Sequence, residues 1–142
     1  MDFDVDQFLQ GPLTARVATN GPTIRPTWYL WEDGAFWILT GTWSRLPGRV
    51  QTDPRVAIVV DTCDTTSGQV RQVVARGTGE LLPFDADRGR RKLVRYLGVD
   101  EDRWDDRFRR YLHDDPTQRG TSWLCVRPDR LCAIDLSYDA AR

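Results

Sequence analysis

The chain has 142 residues, of which 29% are charged, and a formal net charge of −1. That is the size of one typical domain, large enough to bury a core without metal or disulfide staples. The charge balance supplies no general attraction to nucleic acid or to an anionic membrane, so any anion site must be local.

The opening "MDFDVDQFL" is acidic and lacks a basic segment followed by an apolar one. No apolar run approaches the roughly 20 residues of a spanning helix. The expectation is a single cytoplasmic domain over 1–142. Within "DVDQFLQGP", Asp4 is a candidate cap, Val5, Phe8 and Leu9 fall at helical spacing, and Gly11-Pro12 stops the helix.

"LTARVAT" (13–19) alternates like a strand and ends at the turn "NGP". "TIRPTWYLWE" (23–32) and "AFWILTG" (35–41) are rich in β-branched and aromatic residues and flank Asp33-Gly34, a strong hairpin signal. Pro26 is a misfit in a central strand and points to an edge, a bulge or backbone turned toward something other than a neighbouring strand. "RVAIVVD" (55–61) reads as a buried central strand, and "VRQVVARGTGELL" (70–82) as a longer one that Gly77 and Gly79 bend.

Between 84 and 113 the period changes. Leu93, Tyr96 and Leu97, then Trp104, Phe108, Tyr111 and Leu112, mark two amphipathic helices with charged outer faces. "TSWLCVRP" (121–128) and "RLCAIDLS" (130–137) return to strand character around a turn at "RPDR". Strands do not alternate with crossover helices, so the pattern predicts a mainly β protein with helices (α+β), a small barrel of six to seven strands.

Cys63, Cys125 and Cys132 lack C-x-x-C spacing and His113 is the one imidazole, so no metal site is expected. The same scarcity leaves triad chemistry without support, and no catalytic residue is named. Lys92 is the only lysine; the arginine-rich composition is read as coding bias as well as chemistry, with little functional weight.

The stretch "TGTWSRLPGR" (40–49) gathers Thr40, Thr42 and Ser44 with Arg45 and Arg49. Hydroxyl donors beside planar, permanently charged guanidinium groups suit a phosphate monoester. A short helix beginning near Ser44 would add backbone amides. The plainer alternative is an ordinary helix cap with a solvated arginine.

Taken together, Thr40-x-x-x-Ser44-Arg45, the following "DPRVAIVVD", Arg71-Gln72-Val73 with Gly77 after it, and the late Trp123 with Arg127-Pro128 resemble the pyridoxamine 5'-phosphate oxidase family. More broadly they are similar to the flavin and deazaflavin oxidoreductases that share its split β-barrel. The resemblance runs in order from about residue 5 to 137. It implies a homodimer with two flavin mononucleotide (FMN) sites at the interface and a small-molecule substrate, with no nucleic acid or membrane partner.

By the same resemblance, Arg25, Pro26, Thr27 and Trp28 would lie along the isoalloxazine, and Thr40, Ser44 and Arg45 would hold the phosphate and ribityl chain. Gln72 and Arg71 would approach from the second subunit, and Trp123 would border the flavin; Trp123 as a plain core residue is the alternative. Packing is expected for at least two of Trp28, Tyr29, Trp31 and Trp37.

The chain also departs from the family pattern. Leu46 stands where a second basic residue is usual, Pro47-Gly48 disturbs the helix start, and Arg49 could restore the charge one turn later. Only Arg127 remains of the C-terminal arginine signature that contacts pyridoxal phosphate, which argues against vitamin B6 oxidation. The alternatives to an FMN-dependent oxidoreductase are a reductase using the deazaflavin coenzyme F-420, a non-catalytic flavin-binding or sequestering protein, and a structural protein using the barrel alone.

Overall fold

The computed structural model describes residues 3–141. In chain order the elements are α1 (Val5–Leu9), β1 (Ala15–Thr19), β2 (Thr23–Thr27), β3 (Leu30–Glu32), β4 (Ala35–Gly41), α2 (Leu46–Thr52), β5 (Arg55–Asp64) and β6 (Gln69–Pro83). After these come α3 (Ala86–Leu97), a 3-10 turn (Glu101–Arg103), α4 (Asp106–His113), α5 (Pro116–Arg119) and β7 (Thr121–Asp135). All strand pairings are antiparallel, in the order β2-β1-β5-β6-β7-β4-β3. The protein is mainly β with helices, a curled half-barrel.

The expected strand over 23–32 is two strands. β2 pairs with β1 and β3 pairs with β4, so the chain crosses from one edge of the sheet to the other through Trp28-Tyr29. Pro26 sits opposite Arg16 on the edge strand β2, where its missing N–H leaves no ladder bond unmade on the open side. The Tyr96 hydroxyl of α3 satisfies backbone groups of the crossing, accepting from the Tyr29 amide at 3.1 Å while lying 2.6 Å from the Leu13 carbonyl it donates to. Burial pushes that phenol up to about 12.

Asp33 and Gly34 both adopt positive φ, 56° and 68°, and close the β3–β4 hairpin as the dipeptide predicts. The expected turn at "RPDR" does not form: β7 runs unbroken through it. Gly77 pairs with Pro128 and Arg76 with Arg130, so Asp129 is the extra residue of a bulge and both long strands bend together. A Cβ at Gly77 would stand 2.5 Å from the Arg127 carbonyl oxygen.

Two apolar layers hold the sheet. Inside the curl, Val17, Phe36, Ile38, Ile58, Val60 and Val73 pack with Leu9 from α1 and Leu46 and Val50 from α2. On the outer face of β4 and β7, Trp37, Trp123, Leu30 and Cys125 are covered by Phe84 and the helices that follow. Arg88 fastens α3 there, with its guanidinium 3.6 Å from the Trp37 ring centroid and paired with Glu32 at 2.9 Å.

β5 alternates more than its composition suggests. Val56, Ile58 and Val60 are buried, whereas Ala57 and Val59 are half-buried on the outer face. That face continues through Val74 and Cys132, in register with Val59.

Gly77→Ala should lose about 1–3 kcal/mol in urea unfolding, because its Cβ meets backbone that cannot move aside. Unchanged stability would mean that the bulge is not the fixed corner described.

Candidate functional site

The β4–α2 connection begins with an unusually close crossing. A Cβ on Gly41 would fall 2.2 Å from the Trp43 ring and 2.5 Å from the Gly120 carbonyl, so the indole folds back over a bare backbone. Thr42 N–H donates to that same Gly120 carbonyl at 3.1 Å. This fixes the direction in which Ser44 and α2 leave the sheet.

Arg25 lies opposite Val17 in the β1–β2 register and therefore points to the inner side of edge strand β2. From there its Nη1 donates to Ser44 Oγ at 2.9 Å. The Leu46 amide donates to the same oxygen at 3.1 Å. A hydroxyl has two acceptor positions and one proton. With both acceptor positions engaged, the Ser44 proton is left to donate outward.

Beside Ser44 lies a groove of about 430 Å³ lined also by Asn20, Arg45, Gly48, Arg49, Thr52 and Asp53. Most arginines of the chain are in ion pairs, among them Arg16, Arg55, Arg71, Arg88, Arg90 and Arg91. Arg25, Arg45 and Arg49 have no carboxylate partner among the described residues. Arg49 Nε is buried and unbonded, a donor whose desolvation is uncompensated among the described residues.

Asp53, the one acid in the groove, is held to Arg55 at 2.7 Å and to Asn20 at 3.0 Å. The Arg55 side chain keeps its carboxyl down at about 2, so its charge stays paired with that guanidinium. α2 begins at Leu46 with Pro47 in its first turn, which removes one of the amides expected to join the site.

The remaining candidates divide. Thr27 and Trp28 line a separate cavity of about 210 Å³ beside Trp43, Phe108 and Tyr111. There the Trp28 ring stacks on Tyr96 at 4.4 Å and on Phe108 at 5.3 Å. Pro26 faces outward on β2. Thr40 lies on the same face of β4 as Phe36 and Ile38; it is 1% exposed, its hydroxyl is unbonded, and it does not line the groove.

Trp123 is likewise buried, 1% exposed, stacked on Phe84 at 5.7 Å, with its indole N–H directed to the Asp85 carbonyl at 3.3 Å. Arg71 and Gln72, as strand neighbours, take opposite faces of β6. Arg71 is paired with Asp135 at 3.3 Å and lies over the Phe3 ring, whereas Gln72 shares the outer face with Asp61 and Ile134.

The residue that sequence reasoning passed over is Lys92. It is 6% exposed, with its ammonium 5.9 Å from the Trp123 ring centroid, and the residue lines both the aromatic cavity and a small closed space beside Trp123. Burial pushes the ammonium down to about 8. The available signal was its place on α3, four residues before Tyr96 and next to Leu93, inside the apolar stripe.

With this geometry in place, the comparisons fix the class. The chain matches the family described as pyridoxamine 5'-phosphate oxidase over residues 1–132. It therefore belongs to that family. No curated protein matches it.

Among solved structures, a conserved hypothetical protein from Mycobacterium tuberculosis has a TM-score of 0.73 at 20% identity, with 100% of this chain and 98% of that one covered. An F420 reductase has a TM-score of 0.65 at 20% identity, covering 93% and 98%. An FAD-binding protein from Mesorhizobium loti has a TM-score of 0.62 at 15% identity, covering 95% and 96%. At these identities the likeness is one of fold. Among the described residues, no helix is long and apolar enough to cross a membrane.

The pH dependence of stability isolates Lys92. Its folded-state value lies below the usual 10.5, so the unfolded chain binds more protons between about 8 and 10.5 and stability rises with pH across that window. Lys92→Met should be the more stable protein at pH 7, by an amount on the order of 3 kcal/mol, and the gap should close toward pH 10. A pH-independent gap would show that the amine is not desolvated.

Proposed function

We propose that this protein is an FMN-dependent oxidoreductase acting on a small organic molecule, with the cofactor phosphate held at the start of α2. The observation that carries this is a groove in which Arg45 and Arg49, without carboxylate partners among the described residues, lie with Ser44, to which Arg25 donates, with Arg49 Nε buried and unbonded. A phosphate monoester would supply the missing acceptors for these donors.

When bound, the flavin supplies the two-electron chemistry, and the protein contributes binding, orientation and electrostatics. Arg25 fixes Ser44 so that its hydroxyl proton is available to a phosphate oxygen. Arg45 and Arg49 supply permanent charge, and Asp53 is kept from opposing it by Arg55. His113, the only imidazole, ends α4 bonded to Glu101 and lines neither the groove nor the aromatic cavity.

A second reading keeps the site and exchanges the cofactor for the deazaflavin coenzyme F-420; the likeness to an F420 reductase supports it. Titration of the purified protein with each cofactor separates the two. Saturable binding of F-420 with none of FMN would replace the first reading by the second. Tight binding of FMN without reduction by any nicotinamide nucleotide or substrate would favour a sequestering protein.

Arg45→Ala removes one charge-assisted contact and should weaken FMN by about 1.5–3 kcal/mol, roughly ten- to a hundredfold or somewhat more. Riboflavin, lacking the phosphate, should be unaffected. Equal FMN affinity in variant and parent would remove the phosphate from this groove.

The proposal includes a homodimer. The outer face of β5, β6 and β7 presents Ala57, Val59, Val74 and Ile134 half-buried, with Ile24 71% exposed at the β2 edge, and a second copy would cover it. Gln72 on that face would then reach the partner's site. Val59→Glu should convert a dimer eluting at micromolar concentration into a monomer, and a parent that already elutes as a monomer would contradict the shared site.

A further inference from the structure

The cavity between β2, β4 and the α3–α4 pair contains a lysine that the phosphate groove does not use. We propose that it is a pocket for a planar, single-ring carboxylic acid, and that Lys92 is its anion-recognition group. Calling this acid the substrate rests on the reading of the neighbouring groove; the binding itself does not.

Three observations carry the inference. Lys92 is 6% exposed, and no hydrogen bond or ion pair to it occurs among the described residues. Two carboxylates that meet α3 are engaged elsewhere: Asp85 caps it and approaches Arg88, and Glu32 holds Arg88 and Arg91. An ammonium removed from water without a partner is costly, and an incoming anion is the group that would offset that cost.

Aromatic side chains form the walls. Trp28, Phe108, Trp43 and Tyr111 surround the space, with the Trp28 and Phe108 rings stacked and the Trp43 and Tyr111 rings tilted at 40°. Such walls favour a flat ligand. Trp43 is 51% exposed, so this side of the cavity is open to solvent.

The third observation is the amount of space and charge. At about 210 Å³ the cavity is below the roughly 300–1,000 Å³ of sites for drug-sized ligands, which restricts the occupant to about one ring with its substituents. Lys92 is its one cationic lining residue, and the Thr27 hydroxyl already donates to the Trp28 carbonyl at 3.1 Å. One cation without a surrounding set of donors matches a carboxylate better than a phosphate dianion, which the arginine groove suits.

The two sites are also contiguous. Trp43 precedes Ser44 directly, and Thr27 follows Arg25 by two residues on the inner side of β2. A ring held against Trp28 and Trp43 is therefore next to whatever Arg25 and Ser44 hold. The lowered value of the ammonium still leaves it mostly charged at neutral pH.

The test uses benzoate and its neutral isostere benzamide, titrated into the purified protein at pH 7 and followed by quenching of tryptophan fluorescence and by calorimetry. Benzoate should bind saturably and at least tenfold tighter than benzamide. Lys92→Met should abolish that preference while its thermal midpoint is no lower than the parent's. No benzoate binding, equal binding of the two compounds, or a preference retained in Lys92→Met would overturn the proposal.

If the variant does not fold, the comparison of benzoate with benzamide on the parent protein decides alone. Failure to bind flavin would remove the cofactor reading and leave a benzoate preference standing. Flavin binding without that preference would do the reverse.

Discussion

Two strands at opposite edges of one sheet are separated by only Trp28 and Tyr29. A link of that length spans at most about 11 Å between the last α-carbon of β2 and the first of β3. A seven-stranded sheet is far wider than this when laid open, since neighbouring strands lie about 4.8 Å apart. The sheet must therefore curl until its edges approach. The bulge at Gly77 supplies the bend, and Tyr96 supplies hydrogen bonds at the crossing.

The site follows from that closure. Arg25 faces inward on the edge strand β2, and only because the edge is brought round does it meet Ser44, nineteen residues further along the chain. The same crossing places Trp28 against the helices of the second layer. Cations are divided accordingly. Arg16, Arg71, Arg88, Arg90 and Arg91 fasten separate elements through carboxylates, Arg45 and Arg49 line the groove at Ser44 without one, and the single lysine is buried among aromatic rings.

Much of the fold was legible because its signals are local. Asp33-Gly34 dictates a hairpin through positive φ, Gly77 marks the bend, and the 3.6-residue period announces α3 and α4. The break at Trp28-Tyr29 was not legible, because β-rich residues continue through it and only the pairing partners change. "RPDR" misled in the opposite direction: its composition is that of a turn, and the neighbouring bulge absorbs it within a strand.

For the site, the cluster at 44–49 was visible as chemistry in one short stretch. Thr40 was grouped with it although it shares the parity of Phe36 and Ile38, which places its hydroxyl in the core. Arg71 and Gln72, as strand neighbours, lie on opposite faces of β6. Lys92 carried a weak signal, since a lone lysine in an apolar stripe resembles an amphipathic boundary until its depth is known.

The most direct measurement is the ratio of affinities of the parent protein for FMN and riboflavin, which differ only in the phosphate. If Arg25, Ser44, Arg45 and Arg49 form a phosphate site, FMN should bind at least a hundredfold more tightly, and the ratio should shrink as salt is raised, because exposed Arg45 is screened. Equal affinities, or a ratio indifferent to salt, would contradict the account.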